Sequence, residues 1–241
     1  IKRVVGLPGE EIELADGDVY VNGNIARKTD DVQSGLWMHV YDSFYPPEKQ
    51  VFDEAIWRVE NHPDAWDVQV DGGAATVDAV GIDDAALIRY GLPVLDYYAY
   101  DGPSVGGRSG EHRVGDCRIE ALIRPAEVGA KGAVVLGVED GGHQFRLRAA
   151  FGAGAPVELL QDGEVVQTAG GGLSVAEQSR LVLENYDDRV VARLDGEELL
   201  RHDYQPTTSA LASPYPPRWT RAVRFGAVDA HVDFSRVRIQ R

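Results

Sequence analysis

The feature that most constrains this chain is its punctuation. Asp16-Gly17, Asn22-Gly23, Asp140-Gly141, Asp162-Gly163 and Asp195-Gly196 each separate short runs in which apolar and polar residues alternate. A two-residue hairpin turn needs positive φ at its centres, which Asn or Asp followed by Gly tolerates best. Such dipeptides between alternating runs predict antiparallel hairpins, and a chain made mostly of hairpins is all-β. The run CRIEALIRP places Ile119, Ala121 and Ile123 on one side and Arg118, Glu120, Leu122 and Arg124 on the other. AVVLGVED, HQFRLRAAF, VELLQ, EVVQTA, RLVLENY, RVVARL, EELLRHDY and VDFSRVRIQR follow in the same manner. The turns are unequally spaced and their flanks differ, which argues against a propeller or solenoid and for a two-sheet sandwich. Ser174-Val175-Ala176-Glu177 fits a capping box, so a short helix there stands open against a loop.

Charge narrows the partners. The formal net charge of −15 sets up a field that repels phosphate backbones, so nucleic acid is not an expected partner. Cys117 is the single cysteine, which rules out an intramolecular disulfide. No run of about 18 apolar residues exists to span a membrane as a helix. The six histidines show no close metal-ligand spacing, and Gly170-Gly171-Gly172 lacks the Lys-Ser/Thr of a phosphate loop. Asp83-Asp84 and Asp187-Asp188 have the chemistry for calcium, although solvated loop acids are the plainer expectation. No cofactor and no metal are expected.

The chain divides near residue 50, where Tyr45-Pro46-Pro47 stops regular structure and a linker is placed at about 42 to 52. The first part, residues 1–50, opens Ile1-Lys2-Arg3-Val4-Val5-Gly6-Leu7-Pro8-Gly9-Glu10, followed by a hairpin through Val19-Tyr20-Val21-Asn22-Gly23. This stretch resembles the lysine-bearing motif of bacterial type I signal peptidases, with Glu10 where Asp is usual. The resemblance implies a Ser/Lys serine endopeptidase that removes signal peptides from exported preproteins. Lys2 would be the general base, and Ile1 would help wall the pocket for small substrate side chains. A lysine base must be neutral at working pH, and burial against apolar flanks such as Ile1, Val4 and Val5 lowers an ammonium pKa. The family's serine motif and its downstream Gly-Asp-Asn motif are absent from this sequence, so the chain reads as an inactive piece of a larger hydrolase. The parent would be membrane-associated, acting at the extracytoplasmic face through segments outside this chain, with the piece itself soluble.

Residues 51–241 then read as a large insert between the family's motifs. The ordered pieces Trp57…Trp66-Asp67-Val68, Gly115-Asp116-Cys117-Arg118-Ile119-Glu120, Arg180 to Asn185, Val190 to Glu197 and Val232 to Ile239 resemble concanavalin A-like, laminin G-like sandwiches. The expected fold is therefore a small signal-peptidase β-hairpin remnant followed by a concanavalin A-like two-sheet sandwich. Such sandwiches often bind glycans and some are glycosidases. Glycosidase chemistry needs two carboxylates at a set separation, and Glu120 has no acidic partner on its own strand. Binding is the more plausible role, as a glycan-binding or protein-interaction module. Trp57, Trp66, Tyr98 and Trp219 are the candidate platforms for a sugar face, against the alternative that such rings fill the core.

Overall fold

The computed structural model describes residues 6–15, 18–46, 56–68, 75–95, 114–207 and 223–241. Three short strands come first: β1 (Ile12–Ala15), β2 (Asp18–Val21) and β3 (Asn24–Ile25), paired in that order as a small antiparallel sheet. Leu7-Pro8-Gly9-Glu10 forms the turn ahead of it. The Glu10 amide donates to the Leu7 carbonyl (3.1 Å) and Gly9 sits at φ 90°, which suits Pro and Gly as the two central residues of a type II turn. Asn22 and Gly23, at φ 52° and 76°, make the expected tight turn between β2 and β3. Helix α1 (Asp30–Ser34) follows, then β4 (His39–Asp42).

The remaining strands are β5 (Trp57–Val59), β6 (Trp66–Val68), β7 (Ala75–Asp78), β8 (Ala86–Tyr90), β9 (Cys117–Asp140), β10 (His143–Ala150), β11 (Pro156–Gln161), β12 (Glu164–Gly170), β13 (Ser179–Tyr186), β14 (Arg189–Leu194), β15 (Glu197–Asp203) and β16 (Arg224–Gln240). They form a two-layer antiparallel sandwich in which β9 and β16 are long enough to serve both layers. One layer runs β12-β11-β10, the second half of β9, the first half of β16, then β8 and β5. The other runs β15-β14-β13, the first half of β9, then the second half of β16, whose far edge carries β7 and β4 end to end. The passage between layers is made by irregularities. β16 shifts register at Val228/Ala230, with Asp229 at φ 42°, and a Cβ on the facing Gly129 would lie 2.1 Å from Asp229 Oδ1. The Asp229 carboxylate accepts the amides of Gly81 (2.9 Å) and Lys131 (2.8 Å), which pins the bend.

Residue alternation builds the core as expected. Ile119, Ala121 and Ile123 meet Leu181, Leu183, Phe145, Leu147 and Phe234 inside. Two expectations change. Ser174 Oγ accepts the amides of Ala176 (3.2 Å) and Glu177 (2.9 Å), so the capping hydrogen bonds form, but no helix follows them. They close an isolated turn, because the chain must enter β13 five residues on. The stretch at 42 to 46 is also not a free linker: Ser43 exchanges hydrogen bonds with Val237 (both 2.9 Å), and the Asp42 carboxylate accepts from Arg236 and Arg238. β4 thus lies on the N-terminal side of the expected division near residue 50 yet pairs with the final strand. Next to it, Met38 and Arg241 exchange backbone hydrogen bonds of 2.8 and 2.9 Å.

Candidate functional site

Of the residues singled out from sequence, Ile1, Lys2, Tyr98 and Trp219 lie outside the described residues. Trp57 and Trp66 are placed, half-buried, with their rings packed against the core. Trp57 makes edge contacts with Tyr41 (5.3 Å), Tyr90 (5.5 Å) and Phe225 (5.0 Å), and Trp66 stands against Phe225 (5.8 Å) and Phe234 (6.5 Å). These contacts occupy part of each ring, and both side chains keep some exposed surface. The Trp66 indole N–H is buried and finds no acceptor among the described residues.

The densest chemistry lies elsewhere, where the N-terminal segment meets the β13–β14 hairpin. The turn of that hairpin is Asp187-Asp188, with φ 49° and 54°. Far from being solvated loop acids, these residues are 2% and 4% exposed. The Asp187 carboxylate accepts the backbone amide of Lys28 (2.6 Å) and pairs with the Lys28 ammonium, and its carbonyl accepts from Arg27 Nε (3.0 Å). Asp188 accepts the phenol of Tyr20 (3.0 Å). Beneath the turn, Asn185 Nδ2 donates to Asp140 (2.9 Å) and to the Gly115 carbonyl (3.1 Å), and Tyr204 donates its hydroxyl to Asp140 (2.8 Å).

This junction is rich in acid. Asp18, Asp116 and Asp187 bring one oxygen each within 4.8 Å of one another. Burial, followed by the charges of Asp116, Asp188, Asp187 and Asp140, pushes the Asp18 carboxyl up to about 8. Burial likewise pushes Asp116 up to about 7 against the downward pull of Lys28, 3.9 Å away. Asp188 is raised by burial in spite of its bond from Tyr20. Near neutrality the cluster therefore stores protons beside a fixed ammonium. Three carboxylates at this spacing are of a kind that holds a divalent cation, and the positive charge seen among them is that of Lys28.

Beside the junction, the outer face of the β9–β13–β14–β15 layer carries a charge ladder. Arg118 bridges Glu120 (3.0 Å) and Glu184 (3.3 Å), and Arg193 pairs with Glu184 (3.3 Å) and Glu198 (3.2 Å). Asp30, at the start of α1, accepts from Arg201 (2.6 Å), Arg193 and Tyr186 (both 3.0 Å), and these bonds, that of Arg201 foremost, hold it down at about 2. Glu120 does therefore have an acidic neighbour, Glu184, reached across strands rather than along one. With arginines on both, the pair reads as ion-pair structure rather than as an acid and its nucleophile.

The fold defines the class first: an all-β two-layer sandwich. A carbohydrate-binding module, CBM66 from Bacillus subtilis, superposes with TM-score 0.52 at 13% identity, covering 78% of this chain and 98% of that one. A structure reported under endo-acting O-glycanases expressed by human gut microbiota to initiate mucin breakdown gives 0.54 at 10%, with 84% and 98% covered. A β-glucanase from Bacillus licheniformis gives 0.50 at 8%, with 79% and 94% covered. At such identities the likeness is one of fold. By sequence, the family described as "Signal peptidase, peptidase S26" matches residues 1–48. That stretch includes Lys2, the junction residues Asp18, Tyr20 and Lys28, Asp30 on the charge ladder, and Asp42, which pairs with the final strand. No curated protein matches the chain. Among the described residues, no helix is long and apolar enough to cross a membrane.

Proposed function

We propose that this chain is a piece of a type I signal peptidase that carries a β-sandwich insert and works on exported preproteins at the extracytoplasmic face of the membrane. The observation that carries the reading is the signal-peptidase match over residues 1–48, on the stretch that holds Lys2-Arg3-Val4-Val5-Gly6-Leu7-Pro8-Gly9. In this reading the neutral Lys2 amine takes the proton of a serine hydroxyl as the oxygen attacks the scissile carbonyl. The protonated amine then supplies a proton to the leaving amine, and water resolves the acyl-enzyme with Lys2 again the base. Ile1 narrows the pocket toward small side chains. The serine belongs to a segment outside this chain, so residues 1–241 alone do not cleave.

The test uses the natural gene product. Lys2→Ala should lower preprotein processing by at least about 100-fold, the scale of a lost general base, while the variant remains folded. Unchanged processing, or cleavage by residues 1–241 alone, overturns the reading. A second reading, glycan binding by the sandwich, is favoured by the carbohydrate-binding and carbohydrate-cleaving neighbours of its fold. Tyr98 and Trp219 are its candidate platforms, together with the half-buried Trp57 and Trp66. A glycan array probed with the purified chain decides it: a hit lost in Tyr98→Ala or Trp219→Ala supports binding, and silence on every sugar refutes it.

A further inference from the structure

We infer that the Asp187-Asp188 turn is a docking latch that holds the signal-peptidase-like segment at one place on the sandwich, making the sandwich a positioning element for that segment rather than a loosely tethered module. The docking half stands on geometry alone; the positioning half rests on the peptidase reading.

The turn itself carries the argument. Asn22-Gly23, Gly141-Gly142, Asp162-Gly163 and Asp195-Gly196 are also two-residue turns with positive φ at both residues, and each has Gly second. Asp187-Asp188 has a side chain at both positions, which costs backbone strain that Gly would avoid. Each of those side chains receives the N-terminal segment: Asp188 takes the Tyr20 hydroxyl, and Asp187 takes both the amide and the ammonium of Lys28. Arg27 adds a bond to the Asp187 carbonyl. The contact continues onto the outer face of β13 and β14. Val182, Glu184, Tyr186 and Val191 point away from the core residues Leu181, Leu183, Val190 and Ala192, yet all four are buried. Asp30 hydrogen-bonds the Tyr186 hydroxyl, and Trp37 meets the Tyr186 ring edge-on at 6.2 Å. A tethered module would leave that face to solvent.

The experiment combines Lys28→Met with Asp188→Gly, which removes the ammonium and the Tyr20 acceptor while easing the turn. Hydrogen exchange on residues 1–241 should show the amides of 18–34 exchanging at least tenfold faster, with β13 and β14 unchanged. Unaltered exchange in 18–34 overturns the latch, and a matching rise in β13 and β14 would mean that the variant merely loosens the sandwich, which also counts against it. In the natural gene product the same variant should lower kcat for preprotein cleavage with little change in KM, and restoring Asp188 with Lys28→Arg should recover most of the rate. Faster exchange with undiminished kcat overturns the positioning half. If the wild-type gene product does not cleave preproteins at all, the peptidase reading and the positioning half fall together, and the exchange result still decides the latch.

Discussion

Raising the pH from about 5.5 to about 8.5 should weaken this fold, and Asp18→Asn should remove much of the dependence. Asp18 and Asp116 are pushed up to about 8 and about 7, whereas the same carboxyls in the unfolded chain titrate near ~3.9. Between those values the folded chain keeps protons that the unfolded chain has released. Stability is then highest toward the acid side of the window and falls as pH rises through the folded values. Each such proton changes the unfolding free energy by ~1.4 kcal/mol per pH unit, so Asp18 and Asp116 together contribute ~2.7 kcal/mol per unit below about pH 7, and Asp188, also raised by burial, adds in the same sense. Asp116 ionises first and roughly halves the slope, and Asp18 ends it near about pH 8. Both side chains are partly open to water, and that screening acts by lowering the folded values and so shortening the window, while each proton still held keeps its slope of ~1.4 kcal/mol per pH unit. The downward pull on Asp30 to about 2 acts in the opposite sense, stabilising the fold above the unfolded value and fading only in acid, well below this window. Urea unfolding of residues 1–241 at three pH values and constant ionic strength measures the slope directly. Stability that stays flat or rises across the interval, or an Asp18→Asn variant that keeps the full slope, would refute the proton account of the junction.

Gly226→Ala should prevent normal folding, because its Cβ would lie 1.9 Å from the Ala86 carbonyl oxygen in the facing strand; purified yield and melting temperature report it. Trp66→Ala should cost about 3 kcal/mol by opening a cavity against Phe225 and Phe234, whereas Trp66→Phe keeps the packing, removes a donor without an acceptor, and should stay within about 1 kcal/mol of wild type in chemical unfolding. Asp42→Asn takes the carboxylate from Arg236 and leaves Arg238 with Glu120 alone, and should cost about 2 kcal/mol, with hydrogen exchange rising first in residues 39–42.

The hairpins were legible because their causes are local. Alternation and an Asn-Gly or Asp-Gly pair act over a few residues, and Asp162-Gly163 turns where expected. At Asp140-Gly141 the turn lies one residue later, on Gly141-Gly142, since Asp140 is held in strand by its pairing with His143. β9 runs through Pro125, which pairs with Val232 beside the register shift between His231 and Val232, a bulge position where a proline is tolerated in a strand. The Ser174 capping pattern formed its local bonds without the helix, while α1 formed behind Thr29, whose side chain makes no cap bond. What could not be read was pairing at long range. Glu120 meets Glu184 only through strand register, and Tyr20 meets Asp188 across most of the chain. No periodicity in one segment encodes the surface of another, so the junction acids looked like ordinary loop residues.

The reciprocal bonds of Met38 and Arg241 bring the two ends of the 38–241 stretch side by side. A short linker joining those two ends would have to bridge only about one interstrand spacing, ~4.8 Å. Residues 38–241 could therefore be closed on themselves and reopened at an exposed hairpin such as Asp195-Gly196 with their frame almost unstretched, the circumstance in which circular permutation is tolerated.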